Sequence, residues 1–252
     1  MRIRPSVRYR RPASPLAIRR MMPMGSPPWW VRMIRKLRSP TAEQRTESQV
    51  GQGREEGPAG TGSDILPKLI VGLGNPGPRY DATRHNVGWW AADRLVDEWG
   101  LGSFLSEGAA LVARGSVASR PIVILKPTTY MNRSGEALAA FLSGRGIVPS
   151  RDLMVLVDDA TRPPGSLRLR RSGGAGGHNG LKSLEALLGR DYPRLRIGVG
   201  RAPPGTDLAA WVLDAMPPDD EDRVLQAVDS IPDGLRVWLT DGLDPAMNRL
   251  NR

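Results

Sequence analysis

Short apolar runs set between helical stretches limit what this chain can fold into. Leu69-Ile-Val-Gly-Leu73, Pro121-Ile-Val-Ile-Leu125, Leu153-Met-Val-Leu-Val157 and Leu195-Arg-Ile-Gly-Val199 each span five residues. That is too short for a buried helix, and the enrichment in Val and Ile fits strands covered on both faces. Amphipathic helices are expected over residues 86–98, 134–144 and 180–188, with two more, 219–230 and 233–240, closing the chain. Strands alternating with helices predict an α/β fold: one globular domain with a mixed, mainly parallel sheet flanked by helices.

The pattern starts abruptly at Lys68. Residues 1–64 hold fourteen Pro or Gly and show no sustained period, so they read as a disordered basic extension and polar linker ahead of a domain at 65–252. Residues 1–42 carry eleven Arg or Lys and no acid, residues 43–64 carry two basic and five acidic residues, and the remainder carries 23 and 21. The overall charge of +10 therefore belongs to the tail. A nucleic-acid surface on the body must then be a local patch. Within the tail, Trp29-Trp-Val-Arg-Met-Ile-Arg-Lys-Leu37 could form a short basic amphipathic helix. An organelle leader is the alternative to an inert extension. No stretch reaches the roughly 20 apolar residues of a membrane span, and a soluble, cytoplasmic protein is expected.

Composition also limits the chemistry. With no cysteine there is no disulfide, thiolate nucleophile or cysteine-ligated metal, and with two histidines a His-rich metal site is disfavoured. No metal or cofactor is expected. The G-x-S-x-G pattern of serine α/β-hydrolases is absent. Gly72-Leu-Gly74-Asn-Pro-Gly77 matches the dinucleotide fingerprint formally. That fingerprint needs a helix to start inside the turn, and Pro76 and Pro78 remove the N–H donors of such a cradle. A nucleotide-dependent oxidoreductase is the reading set aside on this ground.

Imidazole is the side chain best suited to accept a proton near neutral pH. Here the candidates are His85, in Thr83-Arg84-His85-Asn86, and His178, in Gly176-Gly-His178-Asn179-Gly. Loops carrying Asn75, Thr128-Thr-Tyr130-Met131-Asn132, Asp158-Asp159 and His178-Asn179 are expected to meet beyond the carboxyl ends of the strands. Neutral amides around one acid and an imidazole suit the positioning of a polar substrate and a water. On these grounds either histidine could be the base, with Asp158 as its partner.

The same residues carry a resemblance. Leu69-Ile-Val-Gly-Leu-Gly-Asn-Pro-Gly77, Thr83-Arg-His-Asn-Val-Gly88, Lys126-Pro-Thr-Thr-Tyr-Met-Asn132, Asp158-Asp with Pro163-Pro-Gly165, and Gly-Gly-His178-Asn-Gly-Leu-Lys182 resemble bacterial-type peptidyl-tRNA hydrolase from about Lys68 to Arg252. The resemblance implies a metal-independent, monomeric enzyme that cleaves the ester joining a peptide to the terminal ribose of tRNA. It implies that His85 activates water and Asp158 holds the imidazole, and that Asn75 favours substrates with a blocked amino group. Tyr80, Tyr130, Met131, Asn132, His178 and Asn179 would bind substrate. Arg168, Arg170, Arg196 and Lys182 would meet tRNA phosphates, with Arg171 and Arg194 nearby. Trp89, Trp90 and Trp99 read as core packing. One departure stands out: the family commonly has Leu-Asp-Leu after the acid pair, where this chain has Ala160-Thr161-Arg162. The alternative reading is an RNA-binding module on the same fold that has lost hydrolysis.

Overall fold

The computed structural model describes residues 66–251, so the expectations for residues 1–64 lie outside it. Seven strands form one sheet: β1 (Lys68–Gly72), β2 (Leu105–Glu107), β3 (Ala110–Val117), β4 (Arg120–Pro127), β5 (Leu153–Asp159), β6 (Leu167–Arg170) and β7 (Arg194–Gly198). Their order is β2-β3-β4-β1-β5-β7-β6. The four central strands β4, β1, β5 and β7 run parallel, and antiparallel pairs close both edges. β5 is buried at every position, as its continuous apolar run requires of a central strand.

The helices are α1 (Val87–Glu98), α2 (Ser134–Leu142), the short α3 (Pro149–Asp152), α4 (Asn179–Leu188), α5 (Leu208–Val212), α6 (Pro218–Thr240) and α7 (Leu243–Leu250). One core cluster joins sheet residues such as Leu69, Val71, Leu125 and Val155 to Leu138 and Phe141 of α2 and to Leu181 and Leu184 of α4. No helix among the described residues is long and apolar enough to cross a membrane.

The two expected closing helices are one. α6 runs through Ile231 and Pro232, the gap left between the two expected helices. Val224, Val228, Ile231, Leu235 and Trp238 are all buried along one stripe, and their packing on both sides of the proline outweighs its lost hydrogen bond. The strands β2, β3 and β6 and the helices α3, α5 and α7 were not anticipated. β5 also extends two residues past the expected end, which puts Asp158 and Asp159 on the strand itself.

Helix α1 lies close on the sheet because two glycines face each other. A Cβ on Gly72 would fall 2.4 Å from Gly88 O, and one on Gly88 would fall 2.5 Å from Leu156 O and from Leu73 O. No helix starts within the Gly72–Gly77 turn; the chain reaches Arg84 before its first helical turn, in agreement with rejection of the dinucleotide reading.

Candidate active site

The carboxyl ends of β4, β1 and β5, three neighbours in the sheet, deliver Met131, Asn75 and Asp158 to one crevice. His85 enters on the single 3-10 turn Arg84–Asn86 that precedes α1. Both flanks of that turn are clamped. On one side the Arg84 guanidinium donates to the carbonyls of Trp211, Asp214 and Ala215 at 3.0–3.1 Å and stacks 3.7 Å from the Trp211 ring. On the other, Asn86 Oδ1 accepts from Asn75 N at 2.8 Å while its Nδ2 donates to Asn75 O at 2.9 Å. Neither Arg84 nor Asn86 was singled out from sequence. Their places beside His85 in one motif were the available signal.

His85 Nδ1 lies 2.9 Å from Asp158 Oδ1, and His178 Nε2 lies 2.8 Å from the same oxygen. The rings are 4.7 Å apart between centroids. The symmetry is broken at His178, which is the N-cap of α4. Its Nδ1 accepts from Gly180 N at 3.1 Å and Leu181 N at 3.2 Å. A nitrogen that accepts carries no proton, so His178 is protonated on Nε2 and donates to Asp158. His85 donates from Nδ1 to the same carboxylate, which leaves its Nε2 as the unprotonated nitrogen. Among the described residues nothing bonds to it.

His85 is 7% exposed and Asp158 2%. Burial alone would raise the Asp158 carboxyl, but the charges and hydrogen bonds of His178 and His85 outweigh it and hold that carboxyl well below the usual carboxylate range. His85, Asp158 and His178 also form a cluster with metal-ligand composition, their donor atoms within 4.8 Å of one another. Their geometry is that of hydrogen bonds. His178 Nδ1 faces two N–H groups, and the other two nitrogens need their protons to reach Asp158. The chemistry this set carries is proton transfer.

Asn75 Oδ1 accepts from Met131 N at 2.8 Å, which fixes the amide so that its Nδ2 end is the free donor. Met131 is buried; a Cβ on Gly180 would fall 2.5 Å from its sulfur, so Met131 floors the crevice between the two loops. Tyr130 is 53% exposed, and Asn132 and Asn179 also face solvent. Tyr80 is half-buried, with Arg79 stacked on its ring. Asp159 has a structural use: its Oδ1 accepts from Thr161 N at 2.9 Å and Thr161 Oγ1 at 2.6 Å, capping the turn.

Across the β6–β7 ladder Arg168 faces Arg196 and Arg170 faces Arg194. Positions two apart share a face of a strand, so four arginines lie on one side while Leu169, Leu195 and Ile197 are buried on the other. Like charges directly opposite repel. Arg194, fully buried, relieves this by turning inward to the carbonyls of Gly173, Arg190 and Tyr192, and so holds the glycine run instead of facing solvent. Arg196 pairs with Asp159 Oδ2 at 3.4 Å and donates to Gly174 O at 2.8 Å. Arg168 and Arg170 form no ion pair among the described residues. Lys182 is exposed in the first turn of α4.

Residues 69–252 match the family described as peptidyl-tRNA hydrolase. The chain belongs to the peptidyl-tRNA hydrolase family. It is 46% identical over 189 residues to a peptidyl-tRNA hydrolase of Symbiobacterium thermophilum, covering 74% of this chain and 100% of that one. It is 43% identical over 190 residues to one from Gemmatimonas aurantiaca, covering 73% and 100%. Among solved structures, the peptidyl-tRNA hydrolase of Acinetobacter baumannii superposes with a TM-score of 0.70 at 34% identity, covering 75% of this chain and 97% of that one. The family match spans the sheet, both histidines and Asp158.

Proposed function

We propose that this chain hydrolyses the ester joining a peptide to the 3′-terminal ribose of tRNA, with His85 Nε2 as the base that activates water. Membership of the family supports the reaction. The observation that carries the assignment of the base is the shared Asp158 oxygen, which leaves one imidazole nitrogen unprotonated and unpartnered.

In this reading water bound at His85 Nε2 attacks the ester carbonyl and gives its proton to the imidazole. The tetrahedral intermediate then collapses, the ribose oxygen leaves, and the imidazolium returns the proton to it. Asp158 steadies the imidazolium and holds its tautomer; His178 positions Asp158 from the start of α4. General-base catalysis of this kind supplies roughly 10²–10⁴-fold, or about 3–5.5 kcal/mol, which suits an ester. The free Nδ2 of Asn75 is a donor. It pairs with the carbonyl of an acylated amino group and repels an ammonium, and this explains a preference for blocked substrates. Tyr80, Tyr130, Asn132 and Asn179 line the approach, and Met131 supports it. Arg168, Arg170, Arg196 and Lys182 meet backbone phosphates, contacts that do not depend on sequence. A monomer acting in the cytoplasm, where translation releases its substrate, completes the reading. Activity resides in residues 65–252.

The test is release of N-acetyl-amino acid from N-acetyl-aminoacyl-tRNA in the presence of a chelator, beside the unblocked aminoacyl-tRNA. Cleavage of the blocked substrate alone is expected. Tight tRNA binding with no cleavage would favour the RNA-binding module instead.

A further inference from the structure

The turn that follows Asp158 departs from the family pattern at Thr161 and Arg162, and the structure gives both a setting. Residues 159–162 are laced to 198–201 by Val199 N to Asp159 O at 3.2 Å, Gly200 N to Arg162 O at 3.0 Å and Arg201 Nε to Thr161 O at 2.9 Å. Arg162 and Arg201 therefore leave adjacent stretches of one ledge. Neither forms an ion pair among the described residues, and Arg162 Nε is buried without a hydrogen-bond partner. Arg196, on the neighbouring strand, differs in having a carboxylate.

Asp159, the acid bonded into this turn, is already committed. Asp159 Oδ1 takes both Thr161 donors, and Oδ2 takes Arg196. Thr161 caps this turn while adding no charge, whereas a carboxylate at 161 would sit beside two cations and neutralise them. Thr161 thus closes the turn without adding a second carboxylate, and Arg162 and Arg201 keep their charge with no ion pair among the described residues. The ledge also joins the arginine face of β6 and β7, through the path Arg201, Thr161, Asp159, Arg196, Gly174.

We infer that Arg162 and Arg201 bind phosphodiester oxygens of the tRNA backbone, extending the track of Arg168 and Arg196 along the turn that starts at Asp158. Arg201 is exposed and Arg162 half-buried, with its Nε lacking a protein partner, and guanidinium groups so placed suit phosphate oxygens and carry no sequence preference. The inference rests on the tRNA-hydrolase reading and adds two residues and a neutral cap to it.

The experiment compares the wild type with the Arg162→Gln/Arg201→Gln double variant and with Thr161→Asp, from about 50 to 200 mM salt. KM and kcat are measured on N-acetyl-aminoacyl-tRNA and on a short 3′-terminal fragment bearing the same ester; binding of uncharged tRNA is followed by fluorescence anisotropy. For the double variant, KM on full tRNA should rise severalfold and the slope of log affinity against log salt should shrink by roughly 1–2, with kcat unchanged. Thr161→Asp should shift both in the same direction. KM on the short fragment should not move. An unchanged salt slope, or an equal rise in KM on the fragment, overturns the inference. Absence of cleavage by the wild type would instead overturn the reading beneath it, and the anisotropy slopes would still decide whether the ledge holds RNA.

Discussion

At His178 a ring nitrogen accepts two backbone N–H groups at the start of α4, so the other nitrogen must meet Asp158. The same carboxylate oxygen accepts from His85 Nδ1, and that contact leaves His85 Nε2 as the free nitrogen. Apart from the family resemblance, which pointed to His85, the residues offered two histidines and one acid with no ground for ranking them, because the deciding partners are backbone amides that exist only once α4 has formed. The Asn75 to Asn86 clasp was hidden for a similar reason: each asparagine could be seen, their pairing could not. The orientation this clasp and Met131 impose on Asn75 leads to a measurable result. Asn75→Ala removes the free donor, so cleavage of the blocked substrate should slow while discrimination against unblocked aminoacyl-tRNA narrows. Parallel kcat/KM measurements on the two substrates check this; unchanged discrimination would assign the preference elsewhere.

At the scale of elements, the parallel core was legible because each central strand is a short apolar run with turn residues at its ends. The edges were not. Leu167-Arg-Leu-Arg170 alternates over only four residues, and Ala110-Leu-Val-Ala-Arg-Gly-Ser-Val117 mixes small and polar residues, as an antiparallel edge strand with one wetter face does. α6 was expected as two helices, and its buried stripe carries it through Pro232 as one. The close approach of α1 to β1 and β5 is the element-level feature on which His85 depends, since α1 begins two residues after it. Gly88→Ala forces a methyl against the carbonyls of Leu73 and Leu156, so it should destabilise by about 1–3 kcal/mol and lower kcat by displacing the turn. Denaturant unfolding gives the first number; an unchanged midpoint would mean the helix can shift at no cost.

Across the whole molecule, charge is distributed so that function and stability pull on the same groups. The body is nearly neutral, yet four arginines share one face of β6 and β7 and two more lie on the neighbouring ledge. The resemblance set Arg168, Arg170 and Arg196 apart from Arg194; that Arg194 is buried and holds the glycine run is something the strand pattern alone could not reveal. Asp158 links the site to global stability. Its carboxyl is pushed up by burial but held well below the usual range by His178 and His85. A depressed folded value contributes stability that is fully present above the unfolded carboxylate's pKa of about 3.9 and is lost as pH falls through the folded value. Asp158→Asn should therefore be less stable than the wild type at neutral pH, with the gap closing as the pH drops below about 4. Unfolding curves at several pH values check this, and a gap independent of pH would contradict it.

The central claim is that His85, and not His178, takes the proton from water. Single-turnover cleavage of N-acetyl-aminoacyl-tRNA by His85→Ala and His178→Asn addresses it most directly. Asparagine keeps a good N-cap for α4 and retains a donor for Asp158. His85→Ala should lose about 10²–10⁴-fold in rate with substrate affinity little changed, and His178→Asn should lose far less. The reverse order, or equal losses in two folded variants, would contradict the assignment of the base.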